Sequence, residues 1–304
     1  MPLPNFIIIG AQKSATTFIN NNLMSHPDIF IRRLELPYFE DPDYFKMSPD
    51  EFEKLFNHAT GKKAIGFKRP DYLSKPECPE RISKHLPEAK LIVSLRHPVK
   101  RAISAYYHYV GIGLAPLEDV NIGLRNILDG KYSAQFPRTR DIIEYGYYYK
   151  HLTNYLKYFE RDQIFITIQD DIESNYNKIM KNILSFLDLQ QNYDFKWGAS
   201  RPGSVLYHSK RLRYHRWMNQ IKSYYSTETN SIVFKNDQWH IREVLVGVAN
   251  TFDKTVLNLI YKNNKPLIQS NLIKDLTCLY KEDITNLQGL LNRDMGNWLE
   301  NNRS

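Results

Sequence analysis

The stretch NFIIIGAQKSATTFINNNLM, residues 5–24, constrains the fold more than any other part of the chain. It opens with a short, continuously apolar, Ile-rich run ended by Gly10, which reads as a buried strand. Phe18, Ile19, Leu23 and Met24 then recur at roughly helical spacing, with hydroxyl residues at the helix start and Pro27 near the end. Strand, tight loop and helix therefore follow in that order.

The same alternation continues downstream. Residues 63–73, 90–98 and 162–172 read as further strands, and 78–89, 99–110, 147–159 and 175–189 as helices. Strands alternating with helices imply an α/β fold, a mostly parallel sheet flanked by helices on both faces. Ligands bind such sheets beyond the carboxyl ends of the strands, where the loop GAQKSATT would lie. The pattern lapses over 205–265, a polar, basic and aromatic stretch that reads either as a lid or as an irregular surface addition. A clear helical period returns in residues 270–299 and predicts a closing helix packed on the core, so the carboxyl-terminal addition is mainly helical. A length of 304 residues fits one domain, 1–304: a core of about 5–204, a variable insertion at 205–265 and the closing helix within 266–300.

Composition narrows the partners. Apolar residues at 42% and charged residues at 24% describe a folded globular chain, not a disordered one. The formal charge of +8 favours anionic ligands, but no dense Lys/Arg block points to nucleic acid. The amino terminus lacks a basic n-region and its apolar run is too short to span a bilayer, so the expectation is a cytoplasmic protein with no membrane partner. Cys78 and Cys278 match no metal-ligand spacing and read as unrelated free thiols.

A loop that leads into a helix N-terminus is a ready anion site. Here Lys13 adds a full charge and Ser14, Thr16 and Thr17 add hydroxyl donors. The ATP-binding pattern G-x-x-x-x-G-K-[ST] fails at two defining positions: counted from Gly10, Ala15 stands for the second glycine and Thr16 for the lysine. A second motif, SLRHPVKRAISAYYHY, ends a strand at Arg96 and starts a helix at Pro98, with Ser104 two turns along. Arg96 and Ser104 could grip a second phosphate, the arginine by its planar fork. His108, one turn beyond Ser104, is a further cleft candidate, and the tyrosines of EYGYYYKHLTNY could either line an acceptor pocket or cover a core edge.

Together KSATT and LRHPVKRAISAY resemble the two nucleotide signatures of the sulfotransferases that use 3′-phosphoadenosine 5′-phosphosulfate (PAPS). The resemblance implies a P-loop-like fold, a 5′-phosphosulfate held by Lys13, Ser14, Ala15, Thr16 and Thr17, and a 3′-phosphate held by Arg96 and Ser104. The usual loop reads K-[ST]-G-T-[ST]; Ala15 replaces its glycine, which still permits close backbone approach if φ there is negative. The segment RLELPYFEDPDYF resembles the one that carries the catalytic glutamate in heparan-sulfate-type sulfotransferases and their bacterial relatives. It places Glu35 on the glutamate, with Pro37 where histidine is usual. GFKRPDYL places Lys68 on a cleft lysine, and SRPGS, with Arg201 and Gly203, is similar to the glycine-containing loop that folds over the nucleotide. The likeness covers most of 5–110, 140–204 and the last forty or so residues.

What the resemblance implies is transfer of a sulfuryl group from PAPS to an acceptor hydroxyl, with adenosine 3′,5′-bisphosphate as product and no metal. Glu35 would be the general base, and Lys13 and Lys68 would neutralise charge on the transferring group and the departing phosphate. The acceptor is expected to be a small secondary metabolite, with a sugar or glycan, O- or N-sulfated, as the alternative. A P-loop nucleotide kinase and a non-catalytic protein that binds anionic glycans are the rival functions.

Overall fold

The computed structural model describes residues 2–195, 205–226, 231–234 and 247–300. The chain divides into two compact units, Met1–His97 with Tyr147–Gly203 and Glu282–Met295, and Pro98–Gly146 with Ser204–Lys281 and Gly296–Ser304.

The first unit is built on five parallel strands: β1 (Phe6–Gly10), β2 (Ile29–Ile31), β3 (Ala64–Lys68), β4 (Lys90–Leu95) and β5 (Ile164–Ile168). They are ordered β2-β3-β1-β4-β5. Its helices are α1 (Thr16–Leu23), α2 (Pro49–Lys54) and α3 (Cys78–His85), followed later in the chain by α7 (Tyr148–Tyr155), α8 (Gln169–Ser174) and α9 (Tyr176–Phe186). The parallel α/β sheet flanked by helices is the fold class that the alternating pattern and the resemblance implied. The three-residue edge strand β2 and the short helix α2 have no counterpart in that pattern, because each is too short to show a period, and α8 begins within the run read as a strand.

Phe6, Ile7, Ile8 and Ile9 are all fully buried, which explains why β1 reads as a continuous apolar run and not as an alternating one. Phe6 and Ile8 face a core formed with Phe18, Ile19 and Leu23 of α1 and Met180, Ile183 and Leu184 of α9. Beyond β3, a second layer is aromatic: Phe67 packs at 6.1 Å from Phe52 and 5.8 Å from Phe56, and Phe39 lies 5.8 Å from Tyr72. From β1 the chain runs out to the edge at β2, returns through β3 and then crosses to β4 on the other side of β1. The carboxyl end of β1 is thus the point where the winding reverses, the position at which open α/β sheets bind their ligands.

The second unit holds α4 (Pro98–Ile112), α5 (Val120–Leu128), α6 (Asp141–Glu144), α10 (Ser209–Lys222) and an antiparallel hairpin of β6 (Ser223–Ser226) and β7 (Ser231–Phe234). The stretch read as a lid or an irregular addition therefore contains a four-turn helix and a hairpin. α10 is fixed to its own unit by Asn219 and Arg216, which donate to the carbonyls of Gly111 and Ala115 at 2.9 and 3.0 Å. Arg211 makes a buried two-pronged bond to Asp253 at 2.8 and 2.6 Å. An arginine buried by a partner 42 positions away looks solvent-facing in sequence, so the helical period was hidden.

The predicted closing helix is α11 (Ser270–Leu291). Asp283 accepts from the backbone N–H groups of Tyr149 and Lys150 at 2.9 and 3.0 Å, and Tyr280 donates to the carbonyl of Ile143 at 2.8 Å. Of the tyrosine cluster, Tyr145, Tyr148 and Tyr155 are buried as packing residues. Among the described residues no helix is long and apolar enough to cross a membrane, and no group of His, Cys, Asp and Glu side chains is arranged to hold a metal ion. Cys78 is buried, Cys278 is exposed, and both are free thiols.

Candidate active site

Four side chains that the sequence singled out, Lys13, Glu35, Lys68 and Arg96, lie just at or beyond the carboxyl ends of β1, β2, β3 and β4 in the first unit. Parallel strands bring these ends to one edge of the sheet, which is how residues more than eighty positions apart come to share a site.

The loop from Gly10 to Thr16 begins with a close approach: a Cβ at Gly10 would lie 2.5 Å from Leu73 Cβ, so only glycine fits against that turn. Its backbone then enters the left-handed region twice, at Lys13 (φ 67°) and at Ala15 (φ 64°), the residue that caps α1. The negative φ expected at Ala15 is therefore not what the loop adopts. Ala15 stands in a conformation that glycine takes without steric cost, because the turn must reverse direction between the strand and a helix start. Left-handed residues in a turn before a helix are also the backbone from which anion-binding nests are made.

Ser14 is fully buried, and its hydroxyl makes no hydrogen bond among the described residues. Lys13 is driven from 10.5 down to about 8 by burial first, then by repulsion from Arg96 and Lys68, with Glu35 pulling the other way. Arg96 donates to the Lys13 carbonyl at 3.2 Å, and Tyr148 donates to the Arg96 carbonyl at 2.7 Å, which holds the end of β4 against the loop. Crowded cations, a hydroxyl left over and a helix start are a donor set that fits a phosphate or phosphosulfate group.

Lys68 connects this loop to the candidate base. Its ammonium donates to Thr17 Oγ1 at 3.2 Å and to Glu35 Oε1 at 2.5 Å. The side chain of Lys68 is 11% exposed and that of Glu35 is 38%, so the lysine comes from beneath and the carboxylate stays open to solvent. Arg32 does not pair with Glu35 but donates to the Leu34 carbonyl at 2.9 Å.

Arg69, Glu40, Asp71 and Gln12 were not expected from sequence. Arg69 donates to Glu35 Oε2 at 3.2 Å, makes a short ion pair with Glu40 and lies 3.7 Å from Asp71. Gln12 of the loop donates to the other oxygen of Asp71 at 3.0 Å. One guanidinium thus faces three carboxylates. Burial works to lower the pKa of Arg69, but Asp71, Glu40 and Glu35 outweigh it and hold the group firmly charged. The most buried carboxylate, Glu40, is pushed up to about 7 by desolvation, which Arg69 only partly offsets. The alternating charges of KRPDY were the available signal.

The remaining candidates are placed as follows. Ser104 is buried on α4 of the second unit, and His108 is exposed on the same helix with its ring 6.0 Å from that of Tyr109. Thr16 is buried at the start of α1 and Thr17 is exposed. Arg201 and Gly203 lie outside the described residues.

The family model described as sulfotransferase domain matches residues 3–240. The membrane-associated sulfotransferase kil1 of Dictyostelium discoideum is 38% identical over 109 residues, 34% of this chain and 23% of that protein. Heparan sulfate glucosamine 3-O-sulfotransferase 3B1 of Mus musculus is 30% identical over 193 residues, 62% of this chain and 47% of that one. The chain thus spans less than half the length of these curated relatives. Among solved structures, a sulfotransferase from Alicyclobacillus acidocaldarius superposes with a TM-score of 0.67 at 19% identity, covering 99% of this chain and all of the other, which shows a shared fold. With a family match over more than three quarters of its length, on a parallel sheet whose strand ends carry the resembling motifs, the chain belongs to the sulfotransferase domain family.

Proposed function

We propose that this chain transfers the sulfuryl group of PAPS to a hydroxyl of a small-molecule acceptor, with Glu35 as general base. The observation that carries the reading is the single ammonium of Lys68 reaching both Glu35 and Thr17, so that the candidate base and the candidate phosphosulfate loop share one cation. PAPS, when bound, supplies an activated sulfuryl group and a phosphate leaving group. Lys13, Ser14, Ala15, Thr16 and Thr17 would hold its 5′ end, and Arg96 and Ser104 its 3′-phosphate, with Arg201 and Gly203 contributing as the resemblance implies.

Each residue then has a distinct task. Glu35 accepts the acceptor's hydroxyl proton at the oxygen lone pairs left open by its two cationic partners. Lys68 keeps that carboxylate turned toward the loop, and Lys13 offers charge where negative charge develops on the leaving oxygen. His108, exposed on α4 of the second unit, is kept as a further candidate catalytic residue. The proposal treats 1–304 as one sulfotransferase domain, supported by a family match that runs through segments of both units, and takes it to act in the cytoplasm.

The acceptor is taken to be a small secondary metabolite that carries a hydroxyl group, and the role to be in making such metabolites. A carbohydrate acceptor is the second reading, favoured by the 30% identity to the mouse enzyme, whose name specifies a glucosamine of heparan sulfate.

The test is calorimetric binding of adenosine 3′,5′-bisphosphate beside ATP with Mg2+, followed by transfer from labelled PAPS to hydroxylated aromatics and desulfated heparan oligosaccharides. Tight binding of the bisphosphate alone is expected; preference for ATP would overturn the reading. Arg96→Ala and Ser104→Ala should each weaken the bisphosphate more than the 5′-monophosphate, and equal losses for both ligands would remove the 3′-phosphate assignment.

A further inference from the structure

We infer that Arg69 is a positioning residue that fixes the carboxylate of Glu35 and ties it to the loop after β1. The inference rests on the proposal that Glu35 is the base, and it adds a residue to which neither the sequence motifs nor the resemblance gives a role.

Arg69 is the first residue past β3, and its backbone N–H donates to Ile8 of β1 at 3.0 Å, so its Cα is set by the centre of the sheet. Its side chain is 22% exposed and reaches Glu35 Oε2 with one terminal nitrogen while the other pairs with Glu40 and approaches Asp71. The two carboxylates that hold the guanidinium are themselves held. Asp71 accepts from Gln12, two residues past the end of β1. The Glu40 backbone N–H donates to the Pro37 carbonyl at 3.0 Å, in a turn clamped by the fully buried Tyr72, whose hydroxyl contacts the Leu36 carbonyl and accepts from the Phe39 N–H at 3.1 Å.

Glu35 has no such clamp of its own. It sits in a loop, its side chain is 38% exposed, and Lys68 alone would restrain it only as a point charge. A planar guanidinium bonded on both sides is directional, so the second contact selects one orientation of the carboxylate. Because Gln12 is part of the donor loop, the orientation of Glu35 is referenced to the place where the donor would lie. A displacement of about 1 Å in a reacting group can cost about 10²-fold in rate.

The test uses the full-length chain with adenosine 3′,5′-bisphosphate bound and compares wild type with Arg69→Lys and with the pair Arg69→Met, Glu40→Gln. The pair keeps the test valid if loss of the arginine alone leaves too much buried negative charge to fold. Crystal structures should show Glu35 in one conformation in wild type and spread over several in both variants, with bisphosphate affinity within about twofold. A Glu35 carboxylate that stays ordered in place in both variants would overturn the inference, whatever its role in turnover. On an acceptor found by the labelled-PAPS screen, Arg69→Lys should lower kcat by roughly 10–100-fold at unchanged KM for PAPS, and should have no further effect in a Glu35→Gln background. Additive losses in that double variant would also overturn it. Full turnover of Glu35→Gln alone would instead remove the base assignment, while the crystallographic result would still stand on its own.

Discussion

The Lys68 ammonium lies 2.5 Å from Glu35 Oε1, so the residue at the end of β3 and the residue in the loop after β2 form one ion pair. Neighbouring parallel strands make this possible: β2 and β3 are hydrogen-bonded in register from Ile29 with Ala64 to Ile31 with Gly66, and their carboxyl ends open on the same edge. If Glu35 takes the acceptor proton, replacing it with glutamine keeps the shape and a contact to Lys68 but removes the basic oxygen. Glu35→Gln should lower kcat by about 10²–10⁴-fold. Calorimetry should find adenosine 3′,5′-bisphosphate binding within about twofold of wild type; a lost affinity with intact turnover would count against the assignment.

Lys68 predicts a different pattern. It touches both Glu35 and Thr17, so if Glu35 is the base, Lys68→Met should impair chemistry and donor binding together, unlike Glu35→Gln. Loss of one preorganised donor to a developing charge costs about 10²–10³-fold in kcat. Steady-state kinetics with PAPS varied should therefore show kcat falling and KM rising. A change in neither would make the Lys68–Glu35 contact a structural ion pair.

The pH dependence of ligand binding follows from Lys13. Its pKa in the free protein is lowered from 10.5 to about 8, by burial and then by Arg96 and Lys68. An anion bound beside it favours the ammonium and raises that pKa, so the ligand prefers the protonated protein. The affinity for adenosine 3′,5′-bisphosphate should be fully present below about pH 8 and should fall as pH rises toward the bound-state pKa, by at most about tenfold per unit. Lys13→Arg, whose side chain stays charged, should flatten this limb in calorimetric titrations between pH 7 and 10. A limb that persists unchanged would assign it to another group.

The sheet was legible because its strands are buried on both faces and its helices amphipathic, and each pattern has its own period. Lys13 and Arg96 were legible because a charge where a strand hands over to a helix suits an anion site, whereas Glu35 and Lys68 were legible only through the resemblance of RLELPYFEDPDYF and GFKRPDYL, since β2 was too short to be read. Arg69 was not, since side chains alternate along a strand and the residue after Lys68 should point away from Glu35. It reaches the same carboxylate because the chain leaves the strand at that residue. The conformation of Ala15 was hidden for another reason: φ depends on how the loop closes, and alanine gives no local sign of a left-handed turn.

That last residue yields a stability prediction. An L-residue in the left-handed helical region brings its Cβ against the neighbouring carbonyl, at a cost of about 1–2 kcal/mol that glycine avoids. Against this, glycine loosens the unfolded chain by about 0.4–1 kcal/mol. At Ala15, with φ 64° and ψ 14°, the steric relief is the larger effect. The methyl group does pack at the margin of the core beside α1, which reduces the gain. Ala15→Gly should therefore stabilise the protein by about 0.5 kcal/mol, read as a higher urea midpoint at unchanged slope. Because the backbone already holds the glycine-like conformation, affinity for adenosine 3′,5′-bisphosphate should stay within about twofold. A destabilised Ala15→Gly would mean that the packing of this one methyl group outweighs the strain of the loop that carries it.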